Sequence, residues 1–238
     1  RDFPASLPED VANVQADGWF FTGGLENRPD VIERMMRPTA PYGSLWGTPP
    51  AALRLVRDPF WLVDTLKSAG LPALEVRPES SPPPADGTWL QKPLASAGGR
   101  AIRVWDREAS LSDFGEPHYF QAFQQQGDSC AAIFYSGGDS VDWQGATMGS
   151  TGKKCCRSPH RFSYCLSEGP IAIPGEPRLL LNQMAEVIVR ASGVVGLFGI
   201  DFQFDGTTPW MVELNPRYTA SIEVLELMRR RSLLRVSG

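Results

Sequence analysis

Residues Gly199 to Arg217 read GIDFQFDGTTPWMVELNPR. The segment divides into an apolar strand over Leu197–Phe204, a turn at Asp205-Gly206 and a second strand over Trp210–Leu214. Asp201 interrupts the apolar residues of the first strand, and Glu213 those of the second. A carboxylate inside a buried strand is costly unless it is charge-paired or bound to a cation. Asn215 follows Glu213 by two residues, so their side chains point to one face, and the turn brings Asp201 alongside. Three oxygen donors on one face suit Mg²⁺, which takes phosphate oxygens and waters as its other ligands. The plainer alternative is that Asp201 pairs with a nearby arginine while Glu213 caps something local. Spacing leaves both open, and Arg217 fits either, as the structural partner or as a phosphate contact.

Two further segments lie upstream. Trp89–Arg100 reads WLQKPLASAGGR. Lys92 ends an apolar strand, and the small-residue turn Ser96–Arg100 leads back into a second strand, Ala101–Trp105. Backbone amides at Gly98-Gly99 can approach a phosphate closely while a lysine ammonium supplies charge; most such turns are only turns. The loop is not a Walker loop, and no GxGxxG opens a helix. Tyr119–Ser129 reads YFQAFQQQGDS, a strand running into a polar turn. It is either an ordinary strand end or a hinge whose backbone groups read an adenine edge.

The remaining pattern frames these segments. Asp17–Thr22 reads as a buried strand ending at Gly23-Gly24, Arg28–Arg37 as a helix, and Pro41–Gly47 as a connector. Thr48 is expected to cap a helix beginning at Pro49-Pro50, and Asp58 the next, which Gly70 closes. Arg77–Gly87, with three consecutive prolines, reads as a linker with a boundary near 80–86. Strands over Cys130–Tyr135 and Val141–Met148 flank the Gly137–Asp139 turn. Thr151–Tyr164 reads as a basic loop. In it Lys153, Lys154, Arg157 and Arg161 are either solvated or turned toward a carboxylate substrate. Glu176–Ser192 is a helix with Leu180, Met184, Val187, Ile188 and Ala191 on its apolar face, and a last helix covers Ala220–Arg231. Trp143 and Tyr164 read as packing residues, and Cys130 as a core residue.

Composition narrows the function classes. The 238 residues carry 23 Lys plus Arg against 27 Asp plus Glu, a net charge of −4, which argues against a nucleic-acid-gripping protein. No run approaches the roughly 20 apolar residues of a membrane helix, and Arg1–Pro8 lacks a signal peptide's apolar stretch. Cys130, Cys155, Cys156 and Cys165 have no CxxC spacing, and only two histidines are present, which argues against structural zinc. Adjacent Cys155 and Cys156 suit a reduced, cytoplasmic setting better than a disulfide framework.

Taken in order, the three chemistry-bearing segments resemble the ATP-grasp superfamily. The resemblance covers about residues 50–225. It implies an α+β fold of two α+β lobes with nucleotide between them, preceded by a short α/β domain. The implied limits are 1–84 for that domain with its linker and 85–238 for the ATP-grasp domain, with a small lobe over about 85–125 and a large lobe over about 126–238. Lys92, Gly98 and Gly99 look like the family's lysine and glycine-rich phosphate loop. Gln121, Ala122, Phe123 and Gln124 fall at the adenine hinge, and Ser129 where a ribose contact lies. Asp201, Glu213 and Asn215 fit the D…E-x-N magnesium signature, and Arg217 matches the arginine that follows Asn-Pro. GGLENRPD (Gly23–Asp30), VRDPFWL (Val56–Leu62) and RFSYCLSEGPI (Arg161–Ile171) resemble a short subgroup that includes tyramine–glutamate ligases of methanofuran-type cofactor synthesis. Two departures stand out. Pro59 follows Asp58 near where many members carry a phosphate-binding lysine, which leaves Arg57 as the candidate replacement. Gly199 occupies the place of an arginine found in many ligases.

What the resemblance implies is a cytoplasmic ATP- and Mg²⁺-dependent ligase joining a small-molecule carboxylate to an amine, with Arg217 and Lys92 as catalytic candidates. It implies no nucleic-acid or membrane partner, and apolar helix faces leave a homodimer open. Two other classes compete: a nucleotide-binding protein without ligase activity, and an α/β scaffold in which Asp201 and Glu213 are structural.

Overall fold

The structure is a computed structural model that describes residues 3–37, 41–107, 115–151 and 161–234. Its opening segment holds a short helix α1 (Leu7–Asp10), strand β1 (Gly18–Trp19), a 3-10 turn (Leu25–Asn27), α2 (Pro29–Met35), β2 (Ser44–Leu45), α3 (Pro50–Val56) and α4 (Pro59–Ser68). The expected strand over Asp17–Thr22 shrinks to the two residues of β1. These pair in parallel with β2, which lies inside the expected connector.

Asp58 caps α4 as its position predicts, with Oδ1 accepting from the Phe60 and Trp61 amides at 2.8 and 3.4 Å. Thr48 does not cap α3. The N-cap is Pro49, and Thr48 Oγ1 donates instead to the Val195 carbonyl at 3.1 Å. Prolines at 49 and 50 remove amides that a cap would satisfy, so the fully buried hydroxyl ties α3 to the chain leading into the large sheet.

A four-stranded antiparallel sheet follows, in the order β3-β6-β4-β5, from β3 (Val76–Pro78), β4 (Trp89–Pro93), β5 (Arg103–Trp105) and β6 (His118–Ala122). The proline segment lies between two strands of this one sheet, and the expected 84/85 boundary falls between β3 and β4. Trp89, Trp105 and Phe120 fill its outer face, and Trp105 Nε1 donates to the Pro83 carbonyl at 2.9 Å.

The second sheet has five antiparallel strands in the order β11-β10-β7-β8-β9. They are β7 (Asp128–Ser136), β8 (Val141–Thr151), β9 (Tyr164–Ile171), β10 (Gly196–Phe204) and β11 (Pro209–Asn215). Strand alternation sorts its two faces. Cys130, Ala132 and Phe134 of β7 join Phe198, Ile200 and Phe202 of β10 in the main core under α5 (Gly175–Ser192). Ala131 and Ile133 face the other way, against Ile222 and Leu225 of α6 (Ala220–Arg229). The buried face of α5 is Leu181, Met184, Ala185, Ile188 and Val189, rotated from the expected stripe. Leu180 and Val187 sit at its margin and Ala191 is exposed. Both stripes are apolar, so packing against the sheet selects between them. Trp143 packs edge-on to Phe134 as expected. Cys165 is disulfide-bonded, which corrects the expectation of reduced cysteines; Cys130 is a buried free thiol.

Candidate active site

The β10–β11 pair delivers its two carboxylates through a defect. Asp201 is the direct cross-strand partner of Glu213, yet the next residue, Phe202, pairs with Met211. Val212 is therefore the extra residue of a β-bulge. Without it, Met211 and Glu213 would share a face. With it, Met211 and Leu214 both enter the main core, and Glu213 joins Asp201 on the opposite face.

Asn215 Nδ2 donates to Asp201 Oδ2 at 2.9 Å. Burial first, and the neighbouring Glu213 charge second, push the Asp201 carboxyl above the usual carboxylate range; Asn215, Arg217 and Lys92 only partly offset this.

The bulge also reaches the small sheet. The Val212 carbonyl accepts from Gln121 Nε2 at 3.0 Å, and Gln121 Oε1 accepts from Lys92 Nζ at 3.0 Å. Lys92 is 3% exposed. Burial opposes its charge, but Tyr119 and Glu213 outweigh burial and keep the ammonium protonated. Gly98 and Gly99 both have positive φ. The Gly98 carbonyl accepts from the Tyr164 amide at 3.0 Å, and a Cβ at Gly99 would run into the Phe162 carbonyl oxygen. The glycine loop thus lies closed on the strand β9 side of the large sheet, a strand of which the expected loop Thr151–Tyr164 takes in only Tyr164 and whose other residues were assigned to no element. Tyr164, expected to pack, is 44% exposed and lines the cleft.

These residues surround one cavity of about 300 Å³, within the range of small-molecule sites. All twelve expected positions line it: Lys92, Gly98, Gly99, the hinge residues Gln121 to Gln124, Ser129, Asp201, Glu213, Asn215 and Arg217. The hinge differs in detail from expectation. The amides of Ala122 and Phe123 already donate to the carbonyls of Glu75 and Thr88, at 2.8 and 2.9 Å. Those two amides are therefore already engaged and not free to read a base edge. Phe123 meets Phe162 edge-on at 5.7 Å, and the Arg161 guanidinium lies 5.3 Å from each ring. Ser129 Oγ accepts from Gln203 Nε2 at 2.6 Å, and its hydroxyl hydrogen remains available to a ligand. Lys153, Lys154 and Arg157 lie outside the described residues.

Arg217 Nη2 donates to Asn215 Oδ1 at 3.2 Å, and its Nε donates to Glu26 Oε1 at 2.7 Å. Arg57 does not enter the cleft lining. Its guanidinium is bonded to Asn27 Oδ1 and to the carbonyls of Leu214 and Ser96 at 3.2–3.4 Å, which makes it a brace behind the glycine loop. Glu26 and Asn27 fall within the GGLENRPD motif, but the sequence assigned neither of them a role. Gly23-Gly24 signals a turn, but a single carboxylate in a loop carries no periodicity.

The donor set fits a divalent cation. Two carboxylates and an amide oxygen are hard ligands, and two carboxylates set side by side, with the Asp201 carboxyl pushed up by burial, are what a cation would relieve. Among the described residues no group of three or more His, Cys, Asp or Glu forms a metal cluster. No helix among them is long and apolar enough to cross a membrane.

Comparison with known proteins fits this geometry. A search of the curated proteins returns no significant match. Among solved structures, biotin carboxylase from Campylobacter jejuni in complex with β,γ-ATP superposes with a TM-score of 0.71 at 19% identity, over 93% of this chain and 53% of that one. The biotin carboxylase domain of Hydrogenobacter thermophilus 2-oxoglutarate carboxylase, solved with MgADP and bicarbonate, gives 0.73 at 16% identity, over 93% and 52%. N5-carboxyaminoimidazole synthase from Aspergillus clavatus, with ADP, gives 0.58 at 14% identity, over 82% and 51%. The chain spans about half the length of each of these three, and such identities speak for fold. The family model of the ATP-grasp domain matches residues 56–221, which hold Lys92, the bulged strand pair and both sheets that wall the cleft; this chain belongs to the ATP-grasp family.

Proposed function

We propose that the chain is an ATP- and Mg²⁺-dependent ligase that joins a carboxylate to an amine through an acylphosphate. One observation carries this reading: Asp201, Glu213, Asn215, Arg217 and Lys92, drawn from both sheets, converge on one cleft with the glycine loop and the Phe123–Phe162 pair. Phosphoryl transfer needs positioning and charge neutralisation rather than a protein nucleophile, and the cleft offers those. Mg²⁺ held by Asp201, Glu213 and Asn215 would neutralise charge on the phosphate oxygens. Lys92 holds the α- and β-phosphates, while Arg217 faces the transferred phosphoryl group. The Gly98-Gly99 loop, closed on Phe162 and Tyr164, excludes water that would hydrolyse an acylphosphate. A carboxylate oxygen attacks the γ-phosphorus and ADP leaves. The amine nitrogen then attacks the acyl carbon, releasing phosphate and a proton as the amide forms.

The narrower substrate reading is a glutamate-like acid and a tyramine-like primary amine, in cofactor synthesis of one-carbon metabolism and in the cytoplasm. It rests on the GGLENRPD, VRDPFWL and RFSYCLSEGPI resemblances. The test is hydroxylamine trapping. Wild type with Mg·ATP, glutamate or a panel of other acids, and hydroxylamine should yield hydroxamate and ADP in equal amounts, and Glu213→Gln should yield neither. Tight Mg·ATP binding with no hydroxamate from any acid would instead favour a nucleotide-binding protein without ligase activity.

A further inference from the structure

Glu26 stands outside the stretch that the family model matches, yet it is the residue paired with Arg217. It is 1% exposed. Its Oε1 accepts from Arg217 Nε at 2.7 Å, and its Oε2 has no hydrogen-bond partner among the described residues. A buried ion pair held by one hydrogen bond is weak support for stability, so its effect falls on where the guanidinium sits. Arg217 has five N–H groups. One goes to Glu26, one of Nη1 to the Tyr218 carbonyl at 3.2 Å, and one of Nη2 to Asn215 Oδ1. One N–H on each terminal nitrogen is left over, on a residue that lines the cleft.

The loop that carries Glu26 is fixed on two sides. Gly24 has φ of 99°, a backbone conformation favourable to glycine, and a Cβ added at Gly23 would stand in van der Waals contact with the Arg217 guanidinium, at 3.7 Å. Asn27 Nδ2 donates to the Ser96 carbonyl at 3.4 Å, and Arg57 donates to that same carbonyl and to Asn27 Oδ1. Ser96 opens the glycine loop. The Gly23–Asn27 segment therefore grips both the arginine that follows β11 of the large sheet and the base of the glycine loop of the small one.

We infer that Glu26 is a positioning residue that aims the two remaining N–H groups of Arg217 at the transferred phosphoryl group, with the Gly23–Asn27 loop as a third wall of the active site. This rests on the ligase reading above. The test compares Mg·ADP with Mg²⁺ and β,γ-imido-ATP, by calorimetry, on wild type, Glu26→Gln, Arg217→Lys and the double variant. Wild type should bind the triphosphate analogue more tightly than ADP. Glu26→Gln should keep ADP affinity within about twofold and lose about tenfold of that preference, the scale of one misplaced charge-assisted hydrogen bond. Arg217→Lys should lose it too, and the double variant no more than Arg217→Lys alone, because the two residues act as one unit. Should Glu26→Gln not fold, Glu26→Asp, which keeps the charge but withdraws it by one methylene, is expected to lose the preference in the same way. Equal weakening of both ligands with a lowered melting temperature, or losses that add in the double variant, would overturn the inference. Wild type that binds neither nucleotide would overturn the ligase reading itself.

Discussion

Asp201 and Asp205 stand four residues apart in one hairpin and meet opposite fates. Asp205 is an exposed turn residue whose Oδ1 accepts from the Thr207 amide and hydroxyl and from the Thr208 amide at 2.7–2.9 Å, while its Oδ2 accepts from Trp210 Nε1 at 3.1 Å. These bonds, led by the Thr208 amide, hold its carboxyl well below the usual range. Asp201 is tucked beside another carboxylate and accepts one amide hydrogen bond, from Asn215. Its pKa moves up. One carboxylate is satisfied by the chain that surrounds it and builds a turn. The other is left short of positive charge, and the proposed cation site rests on that shortfall.

The largest expected effect separates the two at the level of activity. Glu213→Gln or Asp201→Asn should lower Mg²⁺-dependent ADP formation by about 10³-fold, the upper scale for losing a preorganised electrostatic contact. Asp205→Asn should leave it unchanged. The melting temperature of ligand-free Asp201→Asn should be no lower than wild type, because the substitution removes a desolvated charge beside a like charge; a large drop would return Asp201 to a structural role. Next in size, Lys92→Ala removes the buried ammonium proposed to hold the phosphates and should weaken ATP binding by about 1.5–3 kcal/mol, read as a roughly 10- to 150-fold rise in Kd. Gly99→Ala combines a positive φ with a collision against Phe162, and should cost about 1–3 kcal/mol of stability or of loop closure. Denaturation and ATP titration together would show which.

The smallest effect is on pH dependence, and its sign differs between the two aspartates. A raised native pKa means that the folded chain binds more protons than the unfolded one. The contribution of Asp201 is therefore present in acid and is lost as pH climbs through and above the ordinary carboxylate range. Asp205 is depressed, so its contribution is present above that range and is lost as pH falls below about 4. Ligand-free melting profiles of Asp201→Asn and Asp205→Asn should diverge from wild type in opposite directions, the first gaining at neutral pH and the second losing there. Parallel profiles would erase the distinction.

The same hairpin shows what a sequence discloses. Asp201 and Glu213 were legible because each breaks an apolar strand, and Lys92 because it ends one. The bulge at Val212 was not legible. Valine is an ordinary strand residue, and only the register of Asp201 with Glu213 followed by Phe202 with Met211 reveals that an extra residue turns Glu213 toward the cleft. Strand β9 was missed because YCLSEGPI carries two small residues and a proline at its end and buries none of its residues fully. The rotated face of α5 reflects two apolar stripes on one helix. The role of Glu26, quoted only as part of the GGLENRPD motif, escaped notice for a different reason: it lies in a contact spanning 191 residues of chain, a separation at which spacing along the sequence says nothing.

The most direct measurement is calorimetric titration of wild type and Glu213→Gln with ATP, with and without Mg²⁺. Wild-type binding should strengthen markedly with Mg²⁺, and the variant should lose the magnesium increment while still folding. Equal ATP affinity with and without Mg²⁺ in wild type, or an undiminished magnesium increment in Glu213→Gln, would contradict the assignment of the paired carboxylates.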